Sequence, residues 1–266
     1  MVKKTSFQNV PGSWRSAGEG PALVLLHGFT EDHRVWLPVS KALEAQYRLI
    51  LPDLHGSGGT SWPAGGSSME QMADWVSFIL EEEKVTEAVV IGHSMGGYVT
   101  LALAERAPEK CRAIGLFCSH PYADDEQKRQ GRDRTIALIQ EKGSGSFISS
   151  FVPGLFDPRN LPAMQDTVAE LRAMNAEFGQ EAHIIQLQAM RKRPDRTTLM
   201  KQWPKPMLVV GGKQDPILPY QNILNSAVLA PTTVFHGIEG AGHMVHYEKP
   251  EKTIALIDEF MKFTFH

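Results

Sequence analysis

Cysteine is scarce in this chain: Cys111 and Cys118 are the only two among 266 residues. They flank one apolar strand candidate, which argues against a disulfide framework and makes both read as core thiols. No apolar run approaches the roughly 20 residues that a bilayer span needs. The basic N-terminal residues Lys3 and Lys4 are not followed by the apolar stretch of a secretory signal. A cytoplasmic chain is therefore expected, although a secreted protein stripped of its signal would read the same way. Charge of one sign is also missing. Twenty-seven Lys and Arg stand against 30 Asp and Glu, a net charge of −3. The pI near 6.4 leaves no basic footprint for nucleic acid or an anionic membrane. His27, His33, Asp53 and His55 lack the spacing of a zinc or iron set, so no metal is expected. The glycine-rich stretch Gly56-Ser57-Gly58-Gly59 lacks the lysine-serine pair of a phosphate loop and the spacing of a dinucleotide fingerprint. No cofactor is expected.

What is present is an alternation of apolar runs and amphipathic stretches. Hydrophobic residues make up 42% of the chain and charged residues 21%, enough for one large core with or without an insertion. Ala22–Leu26, Tyr47–Leu51, Ala88–Ile91 and Ala113–Cys118 are nearly continuous apolar runs, as strands covered on both faces would be. Helix candidates lie between them: Trp36–Ala45, a segment from Ser67 or Ser68 to about Glu82, and Met95–Ala107, which Pro108 stops. Ser67 and Glu70 have capping-box spacing. The signal resumes at Met207–Val210 and Thr233–Phe235, each followed by a helix candidate, the last opening at Pro250. This order predicts an α/β fold with right-handed crossovers and a mostly parallel sheet.

Residues 120–203 read differently. A charged segment, 123–130, precedes helix candidates at Gln130–Gln140, Leu161–Phe178 and Glu181–Lys192, with no convincing strand. An all-helical insertion is best placed as a cap over the C-terminal sheet edge, where α/β sites open. The division expected is a core of 1–119 and 204–266 with a cap of 120–203. Phe147, Phe151, Val152, Leu155 and Phe156 of the insertion could roof a pocket or simply pack the cap onto the core.

The most chemically informative run is Val90–Gly97, which places Ser94 between glycines where a strand gives way to a helix. Gly92 and Gly96 leave room for a sharp turn that exposes the Ser94 hydroxyl, and the helix start offers free N–H groups to developing negative charge. A nucleophilic serine needs a base and an orienting acid. His243 lies in a glycine-loosened loop after the last strand candidate, with His246 as a rival three residues on. Asp215 follows the Met207–Val210 run in a proline-punctuated loop, where it could instead cap a turn. For the oxyanion, the amide of Met95 follows from the elbow and that of Phe29 from the loop His27–Thr30. His27 and Asp53 are expected to hydrogen-bond the loops around Phe29, and His93 to pack beside the strand end. Trp36, Phe29, Met95, Phe147, Phe151 and Phe156 suggest an apolar acyl or aryl pocket.

The segments HGFT (27–30), DLHGSG (53–58), GHSMGG (92–97), GGKQDPILP (211–219) and GAGH (240–243) together resemble the α/β-hydrolase superfamily over nearly the whole chain. Within it the chain is similar to capped, single-domain carboxylesterases and 3-oxoadipate enol-lactonases. The resemblance implies an eight-stranded, mostly parallel sheet with a helical cap after the sixth strand. It also implies Ser94 as nucleophile, Asp215 as acid, His243 as base, and Phe29 and Met95 as oxyanion amides. The substrate implied is a small or medium ester or lactone. Ser94 argues against dehalogenase and epoxide hydrolase chemistry, which uses an aspartate at the elbow, and Met95 stands where perhydrolases carry an aromatic residue. Carbon–carbon hydrolysis of the meta-cleavage type stays open through Arg191 and Arg193, as does a noncatalytic ligand-binding role on the same fold. One departure is expected. Gly12, Gly18 and Gly20 interrupt the residues before Ala22, predicting an abbreviated leading hairpin. Oligomeric state is not assigned by any of these residues.

Overall fold

The computed structural model describes residues 1–265. In chain order its elements are β1 (Val2–Phe7), β2 (Val10–Ala17), β3 (Ala22–Leu26), α1 (Leu37–Leu43), β4 (Arg48–Pro52), α2 (Met69–Glu82), β5 (Ala88–His93), α3 (Met95–Arg106) and β6 (Cys111–Phe117). Five helices follow: α4 (Glu126–Lys142), α5 (Ser144–Phe151), α6 (Gln165–Ala176), α7 (Gln180–Lys192) and α8 (Thr197–Gln202). The chain then returns to β7 (Met207–Gly212), α9 (Tyr220–Ala227), β8 (Thr233–Ile238), α10 (Val245–Glu248) and α11 (Pro250–Phe265).

The eight strands form one sheet in the order β1-β2-β4-β3-β5-β6-β7-β8. β1 and β2 are antiparallel, and every pairing from β4 to β8 is parallel. The apolar runs are continuous because each strand serves two cores in alternation. Ala22, Val24 and Leu26 of β3 pack with α2 and α3 on one face, whereas Leu23 and Leu25 pack with α1 and α11 on the other. β5 and β7 divide their residues in the same way. Each fully buried leucine or valine contributes about 1.5–3 kcal/mol, so a polar substitution on either face of these strands is costly.

The abbreviated hairpin is not what forms. β1 and β2 pair along their length, from Val2 opposite Arg15 to Phe7 opposite Val10. Gln8 and Asn9, with φ of 50° and 66°, make the two-residue turn whose twist suits a hairpin. Gly12 lies inside β2 without breaking it, because a Cβ there would meet the Trp75 ring at 2.5 Å. The glycine records the close approach of an indole and not a strand end.

Two helix starts become definite. Of the two expected starts of α2 it is Ser68 that caps, accepting from the Gln71 N–H at 3.2 Å, while the Ser67 hydroxyl bonds the His55 ring at 2.8 Å. Asp125 caps α4 by accepting from the Lys128 N–H at 2.8 Å, so the charged segment is the first turn of that helix.

The sheet order sets where a site can form. β3 runs to β4 on one side, and β5 then pairs with β3 on the other. The crevice beyond the carboxyl ends of β3 and β5 is thus a topological switch point. The helices between β6 and β7 reach the loops around it through side-chain hydrogen bonds. Asn175 Nδ2 donates to the Thr30 carbonyl at 2.7 Å. Gln186 Nε2 donates to the His55 carbonyl at 3.0 Å and to Ser57 Oγ at 2.9 Å.

Candidate active site

Ser94 stands between β5 and α3 with φ 50° and ψ −113°, a strained conformation for a residue with a side chain. The turn closes only because its neighbours are small. A Cβ on Gly92 would strike the Gly96 carbonyl, and one on Gly96 would come within 2.6 Å of the His27 oxygen. The backbone is held by what lies beside it. The Ser94 N–H donates to the Phe117 carbonyl at 2.9 Å, and its own carbonyl accepts from Gly97 N–H at 3.0 Å and Ser119 Oγ at 2.8 Å. The hydroxyl faces a cavity of about 390 Å³ that His243 also lines.

Asp215 is oriented by its own loop. Its Oδ1 accepts from the Ile217 and Leu218 amides at 2.8 and 2.9 Å, leaving Oδ2 to accept from His243 Nδ1 at 2.7 Å. The carboxylate is fully shielded and the imidazole is 4% exposed. Turn cap and imidazole partner are therefore one role divided between two oxygens. With Nδ1 donating, Nε2 of His243 is the ring nitrogen left to accept a proton. The His243 N–H donates to the Leu155 carbonyl at 2.8 Å, and Glu248 accepts from the Gly242 N–H at 2.7 Å.

Phe29 follows β3 in the turn that also contains Thr30, whose φ is 65°. His27 sets this turn: Nδ1 donates to the Gly28 carbonyl at 2.8 Å, and Nε2 accepts from the Leu54 N–H at 2.9 Å. Asp53 acts one step further out, accepting from the His33 backbone N–H at 3.0 Å and from the Ser13 hydroxyl at 2.5 Å. Among the described residues, neither the Phe29 nor the Met95 N–H donates to another protein group. Both are free for an oxygen brought by a ligand.

A buried ion pair lies behind these groups. His93 Nδ1 donates to Glu31 Oε2 at 3.0 Å and Nε2 donates to the His243 carbonyl at 3.0 Å. Because both ring nitrogens face acceptors, the imidazolium satisfies both at once. Burial alone would lower the His93 pKa, but the Glu31 charge and hydrogen bond raise it above the ordinary value. Burial would likewise raise the Glu31 carboxyl, yet His93 holds it at about 2. Glu31 also accepts from the Gly28 N–H at 2.6 Å. One charge pair thus ties the Phe29 turn to the His243 loop.

The cavity separates the expected pocket residues. Phe147 and Phe151 line it, stacked at 4.9 Å, with Phe151 edge-on to Phe29 at 5.7 Å. Trp36 and Phe156 do not. Trp36 is fully buried under the sheet edge against Phe117, at 5.5 Å, and His246, at 4.8 Å. Phe156 is 1% exposed and packs in the core beneath the His243 loop, where it anchors the segment that carries the Leu155 carbonyl. Both rings are large enough to be spent on packing where an inserted segment meets a sheet. The Met95 side chain also joins the core and leaves only its backbone near the site. His246, the rival base, does not line the cavity: it is fully buried beside His93, and burial together with the His93 charge holds its pKa well below normal.

Other polar groups near the edge are already engaged. Asp32, His33 and Asp53 have ligand atoms within 4.8 Å of one another, as do His93, Cys118 and His243. In the first set Arg34 and His33 neutralise the carboxylates. In the second, His93 and the Nδ1 of His243 are spent on the bonds above, and burial raises the Cys118 thiol well above its usual pKa. Arg191 pairs with Asp133, and Arg193 packs on the Tyr98 ring at 3.9 Å. Neither lines the cavity.

Sequence reasoning missed Glu31, His93 as a charged group, and the α4 side chains Lys128 and Arg132, which line the cavity. For Glu31 no signal separates a buried carboxylate from a solvated turn residue. For α4 the spacing of Lys128, Gly131, Arg132 and Thr135 was available, because those positions share one helical face.

Comparison with known proteins agrees with this fold. The profile of the alpha/beta hydrolase fold matches residues 21–250. An esterase from Thermogutta terrifontis, solved with malate bound, superposes with a TM-score of 0.94 at 26% identity over 100% of both chains. An enol-lactonase from Burkholderia xenovorans superposes with a TM-score of 0.90 at 19% identity, over 98% of this chain and 100% of that one. A pimeloyl-[acyl-carrier protein] methyl ester esterase from Aeromonas hydrophila is 28% identical over 92% of this chain and 96% of its own.

Proposed function

The chain belongs to the alpha/beta hydrolase fold family, and from that premise we propose that it is a serine hydrolase of small to medium carboxylic esters or lactones. The observation that carries this reading is the bond of 2.7 Å from His243 Nδ1 to Asp215 Oδ2, made where Ser94 and His243 line one cavity. The similarity to an esterase at 26% identity over the full length of both chains supports it.

His243 Nε2 takes the Ser94 proton as Oγ bonds to the carbonyl carbon, and Asp215 stabilises the imidazolium. The carbonyl oxygen becomes an oxyanion that the Phe29 and Met95 amides receive without rearrangement. The carbon–oxygen bond to the alcohol then breaks, and His243 returns its proton to the departing oxygen. Water next attacks the acyl-enzyme, giving its proton to His243, and Ser94 leaves with that proton restored. A lactone follows the same steps, its alcohol remaining attached to the acyl group.

Turnover of p-nitrophenyl butyrate by the protein and by Ser94→Ala tests this, with a vinylogous 1,5-diketone assayed alongside. The expected result is ester turnover that falls by about 10⁵-fold in a folded Ser94→Ala protein. Retained turnover in Ser94→Ala, or diketone cleavage without ester cleavage, would overturn the reading.

A further inference from the structure

The cavity is electrically uneven. Its one lining carboxylate, Glu31, is neutralised by His93. Phe147, Phe151, Leu155 and Leu187 give it apolar walls. α4 adds Lys128, Gly131, Arg132 and Thr135, the i, i+3, i+4 and i+7 positions of one face.

Charge beside α4 is out of balance. Asp124 is fully buried and serves two guanidinium groups, Arg132 and Arg193. Among the described residues no carboxylate pairs with Lys128. Two guanidinium groups therefore share one carboxylate, and Lys128 adds a further cation. His120, which lines the same cavity, reports the result: burial first, then Arg193 and Lys128, drive its pKa well below normal.

Hydrogen bonding there is also incomplete. Arg132 Nη1 donates only to the thioether of Met190, at 3.3 Å, and a thioether is a weak acceptor. A guanidinium in a cavity wall whose best partner on one edge is sulfur gains most from a carboxylate brought by a ligand.

From this arrangement we propose that Lys128 and Arg132 form a carboxylate-binding subsite, so that the substrate carries a free carboxylate in addition to its scissile carbonyl. Gly131 leaves the helix face open between the two cations. The apolar walls suit a short methylene chain or a ring joining the carboxylate to the reacting carbonyl. A half-ester of an aliphatic dicarboxylic acid fits this set of groups, anion toward α4 and carbonyl toward Ser94. The placement of the carbonyl rests on the serine hydrolase reading; the anion subsite does not.

Two measurements keep these apart. The first compares kcat/KM for mono-(p-nitrophenyl) adipate and p-nitrophenyl hexanoate, esters similar in length that differ in terminal charge. A preference of about tenfold or more for the adipate is expected, residing mainly in KM, shrinking with added salt and lost in Lys128→Gln. The readout is the ratio of adipate to hexanoate kcat/KM within each protein, so a general effect of Lys128→Gln on turnover cancels. The second measures binding of adipate, with 1,6-hexanediol as neutral control, to Ser94→Ala protein by calorimetry. Adipate alone should bind, and Lys128→Gln in that background should weaken it by about tenfold. Because Arg132 also neutralises buried Asp124, Arg132→Lys is the variant used there; it keeps the charge and should retain part of the affinity. Turnover of both esters at equal efficiency, or adipate binding no better than the diol, would overturn the subsite. Adipate binding without turnover of either ester would leave the subsite standing and remove the hydrolase reading.

Discussion

Two walls of one cavity are built differently. At the sheet edge every group assigned to chemistry is fixed by backbone. Asp215 Oδ1 is held by two amides, and the His243 carbonyl and N–H are each bonded to another element. Ser94 is gripped on both sides of its peptide. On the cap side of the same cavity, α4 offers Lys128 without a carboxylate partner and Arg132 with one nitrogen against sulfur. The difference separates two tasks. Groups that must act in a transition state are preorganised, because reorienting them during reaction would add to the barrier. Groups that select among substrates keep bonding capacity in reserve, which the substrate itself completes.

The contrast can be broken first at the sheet edge, where effects are largest. Asp215→Asn keeps the shape of the loop but removes the charge that stabilises the imidazolium. A loss of about 10³- to 10⁴-fold in kcat is expected with little change in KM, read from steady-state kinetics on a chromogenic ester. A loss confined to KM would move Asp215 from chemistry to binding.

The Glu31–His93 pair comes next. Glu31→Gln leaves an uncompensated buried imidazole and should cost about 3 kcal/mol in chemical denaturation near pH 6. The sign with pH follows from the two shifts. Glu31, held down at about 2 from 4.5, contributes stability above pH 4.5 that is lost as pH falls through the folded value. His93, raised from 6.5, contributes below pH 6.5 and loses that contribution as pH rises through its folded value. The stability gap between the protein and Glu31→Gln should therefore be widest between pH 4.5 and 6.5 and shrink on both sides. A gap independent of pH would mean that the pair is not ionised.

The smallest effect is expected on the cap side. Phe151→Ala removes an edge-on partner of Phe29 and part of the apolar walls. It should lower kcat/KM for butyrate-length esters by about tenfold through KM, and leave acetate esters within about twofold. Equal losses for both would show that Phe151 supports the Phe29 turn instead of the acyl chain.

Much of this contrast was legible in the sequence at the sheet edge and little of it on the cap. The apolar runs of β3, β5 and β7 can only be strands serving two cores, and Gly92 and Gly96 mark a turn that no larger residue tolerates. Asp215 and His243 stand in short loops after such strands, so strand identity nearly places them. On the cap, composition does not tell a ring that lines a cavity from one that seals an interface. Phe147 and Phe151 line it, whereas Phe156 seals, as Trp36 does from the core. The charged start of α4 was read as a connection, because charge obscures helical periodicity. The Asp125 cap shows that the helix begins early enough to put Lys128 on the face it shares with Arg132.

The most direct test of an activated serine at a preorganised edge is covalent labelling by a fluorophosphonate, followed by intact-protein and peptide mass spectrometry. A single adduct on the peptide carrying Ser94 is expected, formed within minutes, absent from Ser94→Ala and strongly slowed in His243→Ala. No adduct on the folded protein, or an adduct that persists in Ser94→Ala, would contradict the assignment of Ser94 as nucleophile.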